Sequence, residues 1–437
     1  MCDVGREGSA TIVGMPASPD PCDAATQALP IYEDALTTLL SHAPVLGGER
    51  VALRDASGRV LMEPVVSDRD QPPFNRSAMD GFAVRSSEVN GRPSWPIVGH
   101  VAAGDDPAID EESARAGVVR IGTGAALPDA YDAVIPIGRN IHPRGNDAKA
   151  GDQVIATGTR LSPATVGIAA TVGAVELLVR QRPRIAILTS GDEVRDPGTS
   201  SGDLPAHHIR NSNGPMLAAF FNALGAQVVY HEHIPDEPEA TRAAAREALS
   251  RAHVVVTVGG ASVGERDYLR WAWSKLGYRV VLQGARIQPG KPVFAAVAGD
   301  IDDAGSFARR GDLNPAALGA QVKAAPDNKL VLGLPGNPVS VLATAHLFAR
   351  PLIRRMLGLA PNPTWRTVRL SEPVRAKASR QLFRAARLEG TDAARVVTWH
   401  GSGDLMHLAA ADGFVALPMR DETVNAGTAV PFLPMVG

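Results

Sequence analysis

Three turns carry most of the chemistry that this chain can offer. They are Gly259-Gly260-Ala261-Ser262-Val263-Gly264-Glu265-Arg266-Asp267-Tyr268, Pro289-Gly290-Lys291-Pro292, and Gly333-Leu334-Pro335-Gly336-Asn337-Pro338-Val339-Ser340. Each follows or flanks an apolar, β-branched run, and chain reversals at strand ends present bare backbone N–H groups to an anion. Ser262 adds a hydroxyl donor, and Lys291 projects an ammonium from a constrained turn. Nearby carboxylates suit a hard divalent cation such as Mg²⁺: Asp267, Asp236, and the Asp192-Glu193 pair that closes Leu188-Thr189-Ser190-Gly191. A phosphate-bearing ligand beside a metal is the leading expectation, and an enzyme the leading class.

Each piece also has a plain structural reading. Glycines serve tight strand-to-helix turns, Asp236 and Asp267 suit helix N-termini, Lys291 can be an exposed lysine, and Pro335-Gly336-Asn337 can be a helix start and cap. On physics alone, Ser77-Ala78-Met79-Asp80-Gly81-Phe82, Thr123-Gly124-Ala125 and Arg144-Gly145-Asn146-Asp147 are turns. The eleven histidines show no metal-ligand spacing, and His207-His208 and His231/His233 read as surface or strand residues.

The elements that must position these turns alternate. Strands are expected at 185–188, 227–230, 254–258, 279–282 and 330–332, with helices at 215–224, 238–252, after Asp267 and after Asn337. Strands alternating with helices predict a parallel, doubly wound sheet over 183–360, with a polar surface insertion at 299–328. Upstream, Ile31, Ala35, Leu36, Leu39 and Leu40 have helical spacing. Helical spacing also mixes into 51–66 and returns at 163–178, so 26–66 and 161–182 are expected to form one helical or linker domain. Short β-branched runs between Gly and Pro predict an inserted β domain over 67–160. Strand-like runs alone remain in 361–437, predicting a small C-terminal β-barrel or sandwich, and 1–25 reads as a disordered tail.

Composition narrows the class. A chain of 437 residues is long enough for about three domains. A net charge of −2 supplies no global field for nucleic acid or acidic membranes, and 5% aromatics argues against base-stacking platforms. The two cysteines, Cys2 and Cys22, exclude a disulfide scaffold and a thiolate metal site built from this chain. No apolar run is long enough to span a bilayer and no signal peptide is evident, so a cytoplasmic location is expected.

At these residues the chain resembles the molybdopterin molybdenumtransferase (MoeA) family, related to the gephyrin C-terminal domain. Ser77-Ala78-Met79-Asp80-Gly81-Phe82-Ala83 is similar to the family's "SAMDGYA" loop and Thr123-Gly124-Ala125 to its "TGA". Ser190-Gly191-Asp192-Glu193 resembles "TGDEL", and Ile209-Arg210-Asn211-Ser212-Asn213 its "I-x-D-[ST]-N". The three opening turns are similar to "GGVSVGEADY", "PGKP" and "GLPGNPVS". The motifs run in family order from about Leu29 to Pro434.

The resemblance implies an elongated helical domain with an inserted β domain, a doubly wound α/β (MogA-like) domain and a C-terminal β domain. It implies a homodimer whose site joins the α/β domain of one subunit to the first two domains of the other. The implied reaction inserts molybdate (or tungstate) into adenylylated molybdopterin with Mg²⁺ and releases AMP. The resemblance further implies the adenylylating partner enzyme and recipient molybdoenzymes as partners.

Carried over to this sequence, the catalytic set is Asp80, Asp147, Glu193, Asp236, Asp267 and Lys291, with Glu193 and Asp267 as metal ligands. Molybdopterin and its anions fall to Ser77, Thr123, Gly124, Arg144, Gly259, Gly260, Ser262, Gly264, Pro335, Gly336, Asn337 and Ser340. The chain departs from the pattern at Asn75-Arg76 and at Asn146, and at Gln288 and near Gly284, where many members carry lysine; Arg286 is a candidate replacement charge. Those departures keep open a molybdopterin-binding scaffold without transferase activity. The adenylylating activity itself is disfavoured by the extra N- and C-terminal domains.

Overall fold

The run of five β-branched or small residues at Val254–Val258 is buried along its whole length. Only a strand covered on two faces tolerates that pattern. In the computed structural model, which describes residues 28–91, 94–135, 140–259, 268–299, 329–398 and 400–435, it lies inside a six-stranded sheet. The order is Gln227–Ile234, Arg184–Ser190, Val254–Val258, Leu330–Leu334, Phe294–Ala298, Tyr278–Gln283. The first four strands are parallel.

Phe294–Ala298 runs antiparallel to both of its neighbours. The sequence predicts no strand at 294–298, and this one runs antiparallel because the 284–293 connection is too short to hold a crossover helix. Helices cover both faces. Ala244, Ala245 and Ala248 of Pro238–Arg251, with Leu269 and Trp273 of Tyr268–Lys275, pack on Ala186, Leu188 and Val255. Alternation along the strand turns Ile185 and Ile187 the other way, and Asn213–Ala223 packs on this strand as well.

Contacts divide the chain into Gly47–Gln181 and a second unit of Met1–Leu46 with Arg182–Gly437. The helix Tyr32–Ser41 therefore groups with the sheet rather than with 161–182. Its Tyr32 hydroxyl donates to the Leu347 carbonyl (3.1 Å), and its ring meets Phe348 and Phe383 edge-on.

The C-terminal strands of the same unit close into a barrel. Gln381–Glu389 pairs with Ala393–Val396 on one side and Gly413–Ala416 on the other, and Arg366–Leu370 and Ala429–Pro434 complete the circuit. Val368, Leu382, Ala386, Ala394, Val415 and Phe432 fill its interior. Ile287–Gln288 joins this barrel as a parallel neighbour of Gln381–Glu389.

In Gly47–Gln181, Gly48–Ala52 pairs antiparallel with Glu176–Arg180. The helical spacing over 51–66 thus belongs to a strand and the short 3-10 turn Leu53–Asp55. Of the helical spacing over 163–178 only Pro163–Thr171 is helix, with Pro163 in its first turn and a capping box between Ser162 and Thr165, while Glu176–Arg180 is a strand. The β segment is a four-stranded sheet ordered Ile97–Val101, Val118–Ile121, Gly81–Val84, Ala133–Ile135. It is not all-β, because Glu111–Ala116 is helical: Asp110 caps it by accepting from the Ser113 N–H (2.8 Å). Six residues are too few for a periodic apolar signal.

The expected tail 1–25 and most of the 299–328 insertion lie outside the described residues. Among the described residues no helix is long and apolar enough to cross a membrane.

Candidate active site

Parallel strands bring their carboxyl ends to one edge, and that edge is where open α/β sheets bind ligands. Register places Thr189 beside Val258, Val258 beside Leu334, and Ser190 beside Ile234. The residues that leave those strands must meet: Gly191, Glu193, Gly259, Gly336–Asn337 and Asp236. They line a cavity of about 320 Å³ together with Thr189, Ser190, Asn213 and Tyr268.

Contacts lock the turns together. Gly259 has φ +97°, and a Cβ there would stand 2.7 Å from Ser190 Oγ and 3.0 Å from the Ser190 carbonyl. A Cβ on Gly336 would in turn lie 3.9 Å from Gly259 Cα. Asn213 donates from Nδ2 to the Gly336 carbonyl (2.7 Å), tying the third turn to the start of Asn213–Ala223. The Asp236 N–H donates to Asp192 Oδ1 (3.1 Å), which holds the fourth strand end against the first turn.

Below this rim a polar relay fixes the helix start. Asn211 Nδ2 donates to Thr189 Oγ1 (2.8 Å), Asn211 Oδ1 accepts from the Gly214 N–H (3.0 Å), and Thr189 Oγ1 meets His233 Nδ1 (3.1 Å). Two helix N-termini open on the cavity, through Ser212-Asn213 and Asn337-Pro338. Their dipoles favour anions, while the Gly214 and Val339 N–H groups are already taken by Asn211 Oδ1 and the Ser402 carbonyl.

The Gly47–Gln181 unit assembles a second cluster. Gly124 N–H donates to the Ser77 carbonyl and Ser77 N–H to the Ala125 carbonyl (2.9 Å each), so two turns far apart in sequence become one. Asp80 Oδ1 accepts from the Thr123 N–H (2.6 Å) and Thr123 Oγ1 (2.9 Å). These two bonds, the backbone one first, hold the Asp80 carboxyl below the usual carboxylate range. The Ser77 side chain is buried and its hydroxyl donates to the Met79 carbonyl (2.6 Å).

Antiparallel pairing of Arg76–Ser77 with Ile141–His142 brings up the turn bearing Arg144 and Asp147. Arg144 Nε donates to Asp70 Oδ2 (2.7 Å) and its backbone N–H to Asn75 Oδ1 (3.0 Å), so Asn75 positions that arginine's turn. His142 Nε2 lies 2.8 Å from Asp147 Oδ1 and is the main cause of its lowered pKa. Asp147, Arg76, Gln71 and Phe74 line a cavity of about 730 Å³, which Asp80 does not line.

Placement of the remaining expected residues is uneven. Glu193, Asp236, Gly259, Gly336 and Asn337 line the α/β cavity, while Pro335, Ser340 and Lys291 are absent from the described lining. Ser340 is buried in its helix, its carbonyl accepting from Thr344 Oγ1 (2.6 Å). The Lys291 carbonyl accepts from the Ala285 N–H (3.0 Å) within its own turn. Gly260, Ser262, Gly264 and Asp267 lie outside the described residues. Arg286 does not stand free as a substitute cation: its guanidinium donates to the Ser379 (3.3 Å) and Ala378 (3.5 Å) carbonyls of the barrel segment.

Asn213 was not expected as a site residue. The available signal was the polar Asn211-Ser212-Asn213 run just before an apolar-periodic helix.

Comparison with known proteins matches the geometry in chain order. Residues 31–173 match the model "MoeA N-terminal region (domain I and II)", 186–355 match "Probable molybdopterin binding domain", and 367–435 match "MoeA C-terminal region (domain IV)". A relative from Synechococcus elongatus, named molybdopterin molybdenumtransferase, is 30% identical over 426 residues, covering 91% of this chain and 98% of that one. The chain belongs to the molybdopterin molybdenumtransferase (MoeA) family. A Staphylococcus aureus member is 27% identical over 434 residues, covering 93% of this chain and 95% of its own. The crystal structure of a molybdopterin biosynthesis MoeA protein from Pyrococcus horikosii superposes with a TM-score of 0.72 at 27% identity, covering 93% of this chain and 99% of that one. The family model over 186–355 contains every described strand end that meets at the α/β cavity.

Proposed function

We propose that this chain performs the transferase step of molybdenum cofactor biosynthesis. It binds adenylylated molybdopterin and molybdate, joins molybdenum to the dithiolene and releases AMP. The observation carrying this reading is the convergence of four strand ends and two helix N-termini on one cavity. Backbone N–H groups there receive the phosphates, with Ser262 and Lys291 adding donors by family analogy.

The cavity's donor set fits Mg²⁺. Glu193 and Asp236 carboxylates and the Ser190 hydroxyl are hard oxygens. Asn213 Oδ1 is a buried acceptor without a hydrogen-bond partner at the same wall. Glu193 would hold the ion, with Asp267 as its proposed companion. When bound, Mg²⁺ neutralises phosphate charge and steadies the leaving phosphoryl oxygen. Asp80, kept ionised by Thr123, and Asp147, paired with His142, repel an oxyanion and serve instead to take or give protons as molybdate oxygen departs as water. Both Thr123 bonds fall on Asp80 Oδ1, which leaves Oδ2 for that proton. By this reading the enzyme is a cytoplasmic homodimer, with the Gly47–Gln181 unit of one subunit completing the α/β cavity of the other.

The test is AMP release from adenylylated molybdopterin with Mg²⁺, run with molybdate and with tungstate. Oxyanion-dependent release is expected, and its absence with verified substrate overturns the transferase reading. Asp80→Asn is expected to lower release by at least about tenfold while stability stays within about 1 kcal/mol. Asp267→Ala is expected to lose activity likewise, and wild-type turnover in either variant contradicts the assigned roles. A second reading rests on Gln288, a neutral side chain whose Oε1 is buried without a partner: a scaffold would bind molybdopterin yet release no AMP.

A further inference from the structure

The C-terminal domain carries a side-chain cluster that the transferase chemistry does not use. His400, Asp404 and His407 follow the strand Ala393–Val396, and their ligand atoms all lie within 4.8 Å of one another. His400 Nδ1 is 3.2 Å and His407 Nδ1 2.7 Å from the Asp404 carboxylate. Two imidazoles thus aim the same ring nitrogen at one acid. Among the described residues no other group of three His, Cys, Asp or Glu side chains comes so close. The expectation that the histidines lack metal-ligand spacing is therefore corrected: the 400, 404, 407 interval gathers its ligands through a turn, not along a regular helix face.

The turn holds its acid before any ion arrives. Asp404 N–H donates to the Gly401 carbonyl (3.1 Å), and Asp404 Oδ2 accepts from the His400 N–H (3.0 Å). Asp404 is 15% exposed, whereas His400 is 80% and His407 46% exposed, so the cluster has a half-buried carboxylate floor and an open imidazole rim. Metal–nitrogen distances of about 2.0–2.1 Å in a tetrahedral site separate ligand atoms by roughly 3.3 Å. The observed spacings reach that value through small rotations of the exposed rings. Two nitrogens and one oxygen suit a first-row transition ion, while Mg²⁺ prefers oxygen alone.

We propose that His400, Asp404 and His407 form a site for a divalent transition metal, best fitted by Zn²⁺, with its remaining position open to solvent. The same turn grips the α/β cavity wall. Ser402 accepts the Val339 N–H on its carbonyl (3.0 Å) and Asn337 Nδ2 on its hydroxyl (2.7 Å), and Asn337 lines that cavity. An ion at the turn therefore braces Gly336-Asn337 from outside while touching no substrate.

Isothermal titration of the tag-free full chain with Zn²⁺ in a non-coordinating buffer tests this. One saturable equivalent is expected, insensitive to millimolar Mg²⁺, with a rise in melting temperature and visible d–d absorption when Co²⁺ replaces Zn²⁺. His400→Ala and His407→Ala are each expected to weaken binding by at least about tenfold and to remove the melting-temperature rise. The partial exposure of these two rings keeps the variants folded. No saturable binding, or binding that survives both substitutions, overturns the proposal.

Discussion

Gly259→Val is expected to lower AMP release on the order of 10²-fold or more, the scale set by a displacement of about 1 Å at a catalytic geometry. The same change is expected to cost about 2–5 kcal/mol of stability, since a left-handed residue with a side chain costs roughly 1–2 and overpacking roughly 1–3. The geometry explains why the cost cannot be relieved locally. At φ +97° the new Cβ stands 2.7 Å from Ser190 Oγ and 3.0 Å from the Ser190 carbonyl, and valine adds two methyls beyond it. Thr189 and Val258 are register partners in buried parallel strands, so the two strand ends cannot separate. Strain then passes to the Gly336 turn on the cavity's far side.

Denaturant unfolding and the AMP assay measure the two effects separately. Gly390→Val is the control: φ is +71° and nothing lies within 4 Å of its Cβ, so it carries the backbone cost alone and keeps activity. A folded Gly259→Val protein with wild-type release would remove this turn from the site.

What could be read from the sequence follows physical range. Val254–Val258 was legible because a continuous β-branched run followed by glycines admits few other structures. Helix Pro238–Arg251 was legible to within a residue, with Pro at its first turn and alanines on one face. The strand Phe294–Ala298 was not expected, and its antiparallel direction depends on how the connection closes in space rather than on local pattern. The Ser77 and Thr123 turns looked generic apart; only pairing of Ser77 with Gly124 and Ala125 makes them one clamp, and family likeness rather than spacing pointed to it. The roles of Asn213 and of the His400 turn were hidden for the same reason. Each depends on partners more than sixty residues away, Gly336 for one and Asn337 for the other.

The last such residue makes a pH prediction. His346 is buried at 1% exposure inside the wide turn Ala345–Ala349, which joins Pro338–Thr344 to Arg350–Met356. Its Nδ1–H donates to the Leu342 carbonyl (2.8 Å), and its ring stands against Phe220 of the α/β domain and Phe414 of the barrel, centroids 4.9 and 5.7 Å away. Burial, with a smaller push from Arg350, lowers its pKa to about 4 despite the Leu342 bond. An unfolded histidine takes its proton near pH ~6.5. Between those values the unfolded chain binds more protons than the folded one, so this group leaves stability unchanged above neutrality and removes it as pH falls. The loss by pH ~4 is about 3 kcal/mol.

His346→Gln keeps an amide donor for Leu342 and cannot charge, so its unfolding free energy is expected to fall less steeply over that window. Carboxylates such as Asp80 and Asp147 contribute the same slope to both proteins and cancel in the difference. Urea unfolding at several pH values from 7 to about 4.5 measures it, and parallel slopes for the two proteins would refute the assignment. Because the ring touches helix, turn and barrel together, acid should loosen that junction first.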